Sequence, residues 1–196
     1  MRIAFAFAFI ALTACGQPPS TGNAAVPPTE QAPAAKARAA NIEGWKTDLT
    51  DNTFIGSSIP AFALNQADGT ELTQENLRDR WTILGFAGAE TSSEDEARFV
   101  SALNSAVDQD PDLDFLQIHR PPPGATAPRV TPWPSVRDDG SATTAFGITE
   151  TPAYLLVGPD LTIEGYRGAL SATPDDGIKS VIRGVAEIRK QIASPQ

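Results

Sequence analysis

The 196-residue chain carries 15 Lys and Arg against 24 Asp and Glu, a formal net charge of −9, with 41% hydrophobic residues, one His and one Cys. The hydrophobic share suffices for one core, while the acidic balance excludes the basic face a nucleic-acid binder needs to neutralise phosphates. A single Cys excludes an internal disulfide, a Cys-rich zinc site and a two-cysteine redox cycle, and a single His leaves little for metal binding or base-assisted nucleophilic catalysis.

Met1-Arg2 is a short basic start, and Ile3 to Leu12 form an apolar run of ten residues. That run is too short to span a bilayer and has the length of a secretory h-region, so residues 1–14 are expected to be a signal peptide. It ends in Leu12-Thr13-Ala14-Cys15, which resembles the lipobox of bacterial lipoproteins. The alternative is a plain signal peptide followed by a chance Cys. The resemblance implies cleavage before Cys15, lipid on its sulfur and acylation of the new amine, and two acyl signals give stable anchoring. Gly16, standing where an Asp marks inner-membrane retention in many Gram-negative lipoproteins, leans towards the outer membrane. A lipidated Cys15 leaves no free thiol.

Residues 16–40 contain five prolines and eight alanines with few large apolar side chains. Such a stretch buries too little surface to offset its ordering entropy, so 15–40 reads as the lipid site plus a Pro/Ala-rich tether. The domain is expected over 41–196, where 12 basic and 23 acidic residues leave a net charge of −11. That field suits solubility and names no partner.

Within the domain, Phe62–Leu64 and Glu71–Thr73 flank Asp68-Gly69, a hairpin-type turn. A short helix is predicted over Gln74–Arg80. Trp81–Phe86 is an apolar run of strand length, expected to be buried on both faces. Ser93 and Glu96 have capping-box spacing, and Phe99, Val100, Leu103 and Val107 then form one helical apolar face. Phe115–Ile118 reads as a strand, and six prolines from Pro121 to Pro134 enforce an irregular connection, stiff or of polyproline type. Ala153–Val157 and Thr162–Tyr166 pair around Gly158-Pro159-Asp160. The closing helix takes Thr173 as N-cap and Pro174 as first residue, with a stripe from Ile178 to Ile192. This order predicts an α/β domain, a mixed β-sheet with helices on both faces.

The pieces Gly56-x-x-Ile59-Pro60-x-Phe62, Trp81–Phe86, Trp133-Pro134, Ala145-Phe146-Gly147-Ile148, Thr151-Pro152-Ala153 and Gly165-Tyr166-Arg167-Gly168 together resemble the extracytoplasmic redoxin branch of the thioredoxin-like superfamily. That branch includes thiol-disulfide proteins of cytochrome maturation, peroxiredoxins and copper chaperones of oxidase assembly. The likeness runs over roughly residues 54–192 and implies a thioredoxin-like three-layer fold. It also implies that Thr151-Pro152 is the cis-proline turn facing the redox centre. Thr91 and Glu94 then fall where the family's Cys-x-x-Cys sulfurs sit, and the peroxiredoxin Cys pattern is missing as well. Disulfide exchange proceeds by thiolate attack, so that route is closed.

The acids Glu90, Glu94, Asp95 and Glu96 are read as a first helical turn favourable to the helix dipole, ahead of a hard-cation site. Thr91, Ser92 and Ser93 are read as capping residues, since no signature supplies a general base. The family's copper chaperones hold metal with two Cys and one His. Here both sulfurs are missing, and His119, the one weak candidate, is expected to be a surface or loop residue. No cofactor and no metal are expected. The sequence therefore points to a membrane-tethered, redox-inactive module that binds an envelope protein, in respiratory-complex or cytochrome assembly. The competing readings are a redoxin-family thiol-disulfide or peroxiredoxin-like enzyme and a copper-handling assembly factor.

Overall fold

A computed structural model of the chain describes residues 41–47, 55–66, 69–88, 94–121, 131–168 and 174–194. The expected signal peptide, the lipid site Cys15 and the tether lie outside these described residues. So do Asp68, Glu90, Thr91, Ser92, Ser93, Thr173 and the middle of the proline-rich connection, 122–130.

Strand β5 (Trp81–Ala87) organises the molecule because both of its edges are paired. It runs parallel to β6 (Leu113–His119) and antiparallel to β8 (Ala153–Val157). Strand β9 (Ile163–Arg167) pairs antiparallel with β8, and β7 (Ser135–Arg137) pairs parallel with β6. A small hairpin, β1 (Asn41–Ile42) and β2 (Trp45–Lys46), completes the seven-stranded order β1-β2-β9-β8-β5-β6-β7. Strands β3 (Ala63–Asn65) and β4 (Glu71–Thr73) form a separate two-stranded hairpin.

Two helices lie on one face, α1 (Glu94–Val107) and α3 (Pro174–Ala193). Their buried residues Phe99, Val100, Leu103, Val181, Val185 and Ile188 share a cluster with Ile83, Phe115, Tyr154 and Leu156 of the sheet. The other face packs Leu84, Phe86, Leu116, Leu155 and Val157 against the β3–β4 hairpin and α2 (Ser141–Ala145). Side chains alternate between these clusters along β5, β6 and β8, so nearly every position of these strands is buried. The mixed sheet with helices on both faces is what the sequence predicts.

Two close approaches depend on glycine. A Cβ on Gly184 of α3 would stand 2.3 Å from Cδ1 of Trp45. Its absence lets α3 close over that fully buried indole, whose Nε1 donates to the Val181 carbonyl at 3.2 Å. On β5, a Cβ on Gly85 would come within 3.2 Å of both Phe115 and Tyr154, so the missing side chain lets two rings cover the strand.

Several boundaries differ from the sequence reading. The helix predicted over Gln74–Arg80 is a 3-10 turn of Gln74–Leu77. The chain leaves helical geometry at Arg78 (ψ 149°) and turns at Asp79 (φ 68°), whose N–H donates to the Pro159 carbonyl at 2.9 Å. That tertiary bond outcompetes another helical turn. Strand β9 starts at Ile163, because Thr162 forms an isolated bridge with Ser58. His119, expected on a loop or surface, is the last residue of β6 and is 7% exposed. Pairing with Ala87 on one side and Arg137 on the other extends the strand through it.

Candidate functional site

The sheet topology gathers several sequence-predicted positions at one corner. In the β5–β8 register Phe86 lies opposite Ala153, so Thr151 and Pro152 stand beside the end of β5. In the β5–β6 register Ala87 lies opposite His119, which is in turn opposite Arg137. The Thr151–Pro152 peptide bond is cis, and both residues are half-buried. Of the two positions aligned with the family's sulfurs, Thr91 lies outside the described residues. Glu94 opens α1, is exposed, and accepts a hydrogen bond from Arg98 at 2.6 Å.

The first turn of α1 holds Glu94, Asp95 and Glu96, which complements the positive end of the helix dipole. Asp95 shares Arg98 at 3.7 Å. Exposed pairs at this spacing contribute about 0.3–0.5 kcal/mol each. These two carboxylates serve the helix and form no isolated reactive group. Glu96 differs, because it is half-buried and its charge acts on Tyr154. Burial first, and Glu96 second, push the Tyr154 phenol above its ordinary range, against an opposing pull from Arg167. The phenol is held neutral, with its ring edge-on to Phe99 at 5.7 Å between centroids.

Arg167 lies opposite Tyr154 in the β8–β9 register and ties β9 to the N-terminal hairpin and to α3. Its Nη1 donates to the Glu43 carbonyl and to the Ser180 hydroxyl, the latter at 3.3 Å. Burial lowers its pKa, offset in part by Glu43 and Tyr154. On β6, the buried Gln117 side chain accepts from Trp133 Nε1 at 2.7 Å. Asp138, fully buried just after β7, accepts from the Ala142 and Thr143 N–H groups at 3.0 and 2.9 Å and from the Thr143 hydroxyl. Asp138 thereby caps α2, which periodicity alone does not reveal in a five-residue helix. Sequence patterns alone assign no site role to Tyr154, Arg167, Gln117 or Asp138. Their signal was position: Tyr154 is the second residue after Pro152 and faces α1.

The corner therefore combines a cis-proline turn, a helix N-terminus, a neutral phenol and a buried imidazole, with no thiol. Cys15, the chain's one cysteine, is far upstream in the sequence. Thiolate attack, which disulfide exchange requires, has no donor in residues 41–196. The donor set does not fit soft Cu(I) either, which prefers sulfur; among the described residues no three His, Cys, Asp or Glu side chains are grouped to hold a metal.

No protein-family model matches the chain, and no curated protein is similar to it. Solved structures do resemble it. A Chlorobium tepidum protein assigned as the thiol:disulfide interchange protein DsbE superposes with a TM-score of 0.54 at 13% identity, covering 68% of this chain and 97% of that one. Arabidopsis thaliana ScoI with copper bound gives 0.52 at 17% identity, covering 67% and 99%. The exposed lipoprotein thioredoxin Etrx1 of Streptococcus pneumoniae strain TIGR4 gives 0.52 at 11% identity, covering 65% and 99%. At these identities the likeness establishes the fold: a thioredoxin-like α/β domain.

Proposed function

We propose that this thioredoxin-like domain is a redox-silent binding module of the bacterial cell envelope, held to a membrane by lipid on Cys15 and a tether over 15–40. The observation that carries this reading is the placement of sulfur. A thioredoxin-like domain keeps its helix N-terminus and cis-proline turn, while the chain's one Cys lies in a lipobox-like Leu12-Thr13-Ala14-Cys15. A helix N-terminus lowers a thiol pKa when a thiol is there. Without one, the corner is a shaped, partly polar surface suited to contact with another protein. The neighbours bear on the setting, since their descriptions include a thiol:disulfide interchange protein, an exposed lipoprotein thioredoxin and a copper-bound Sco protein. They favour extracytoplasmic assembly work as the context, with respiratory-complex or cytochrome maturation as the specific field.

The anchor is tested by fractionation. The full-length protein is expected in the membrane pellet and to incorporate labelled fatty acid, and Cys15→Ser is expected to lose the label and move to the soluble fraction. A Cys15→Ser protein that stays with membranes would contradict the lipid anchor. In-cell crosslinking of the full-length protein then identifies the partner, and a protein of the cytochrome or oxidase assembly machinery is the expected product.

A further inference from the structure

Helix α3 carries more apolar surface than its contact with the sheet uses. Val181, Val185 and Ile188 are buried, whereas Ile178 and Ile182 are only partly covered. Those two isoleucines line a shallow groove of about 620 Å³ together with Ala186, Ala106 of α1, and the cations Lys179 and Arg183. A neighbouring hollow of about 640 Å³ follows the outer surface of α1 along Ala97, Ser101, Ala102 and Ser105, with Glu94 and Arg98, paired to each other at 2.6 Å, at the end away from α1's C-terminus. Ala102 and Ala106 are one helical turn apart, so the two hollows adjoin on α1. Small side chains on α1 and isoleucines on α3 leave a low floor beside an apolar wall.

Charge selects the occupant. Residues 41–196 carry a net charge of −11, yet both charged residues lining the α3 groove are basic. Lys179 makes no ion pair among the described residues, and Arg183, its side chain largely in water, meets the partly exposed Glu43 only at 3.9 Å. A pair so exposed is screened and leaves the cation available. An apolar trough with a cationic border matches an amphipathic helix whose apolar i, i+3, i+4, i+7 positions are flanked by Asp or Glu. An anionic bilayer matches less well, because a flat surface does not fill a hollow.

We propose that the α1–α3 groove docks an acid-flanked amphipathic helix of about three turns from a partner protein. The proposal rests on the reading of the domain as a binding module, and adds where the partner binds and by what chemistry.

The test places a photoreactive residue at Ala106 in the full-length protein in its own cells, with Ser141 on the opposite face of the sheet as the control position. The expected adduct from position 106 maps to a segment with helical apolar spacing and flanking acids. Lys179→Glu with Arg183→Glu should cut its yield at least fivefold, while Lys179→Arg with Arg183→Lys keeps it; unchanged melting temperatures exclude unfolding as the cause. No adduct, an equal adduct from position 141, or an adduct with lipid, a basic segment or a second copy of this chain would overturn the proposal. A protein that reduces disulfides yet still captures such a helix would sink the redox-silent reading and leave the groove standing.

Discussion

In the middle of β5, Ile83 and Leu84 are fully buried, each against its own cluster, whereas at the strand's end Ala87 lies opposite His119, and Phe86 lies opposite Ala153, the residue that follows the Thr151–Pro152 turn. The middle is fixed by many apolar contacts from both faces. The corner is polar, partly exposed, and carries no sulfur. The contrast places the packing that fixes the scaffold in the middle of the strands, away from the corner. What the corner can do then depends on a few side chains that packing leaves free to vary.

Substitutions at the two places should separate by size of effect. Phe86→Ala removes a ring packed 5.2 Å from Phe146 in the core, and a loss of about 3–5 kcal/mol is expected in chemical denaturation. Gly184→Ala, with its Cβ forced onto Trp45, should cost about 1–3 kcal/mol and shift the indole fluorescence, because the ring must move. Either variant behaving like wild type would break the claim that packing alone fixes the scaffold.

Tyr154 joins the two regions, and its effect appears with pH. Its phenol is held above the ordinary range in the fold, by burial and then Glu96. An unfolded tyrosine titrates near pH 10, so above that pH the unfolded chain releases a proton that the fold retains. The contribution is complete below about pH 10 and is lost as pH rises beyond it. Tyr154→Phe should flatten that alkaline decline in stability. A residual slope is expected from Tyr166, which burial also raises. The smallest effect belongs to the corner: Glu94→Ala should change stability by no more than about 0.5 kcal/mol, since its pair with Arg98 is exposed.

The legible parts of the fold were those with strong local patterns. The apolar run of β5 and β8, the stripes of α1 and α3, and the Gly158-Pro159-Asp160 turn all announce themselves in the sequence. His119 did not, because its burial is decided by β7, a three-residue strand reached across a proline-rich connection. Helix α2 is too short for periodicity and depends on the buried Asp138 cap. The β1–β2 hairpin, turned by an Asn41 side chain that accepts from the Gly44 N–H at 3.0 Å, gains its burial from Trp45 under α3. That residues 41–196 hold no Cys was fully legible, since it is a matter of composition. The polar set around Tyr154 was not, because its members are brought together by strand register.

The central claim, a thioredoxin-like scaffold without thiol chemistry, is tested most directly by reduction of insulin disulfides with the purified full-length protein and dithiothreitol as the electron source. The account predicts precipitation of insulin at the rate of the protein-free control, unchanged in Cys15→Ser. Turnover above that control, persisting in Cys15→Ser, would contradict it.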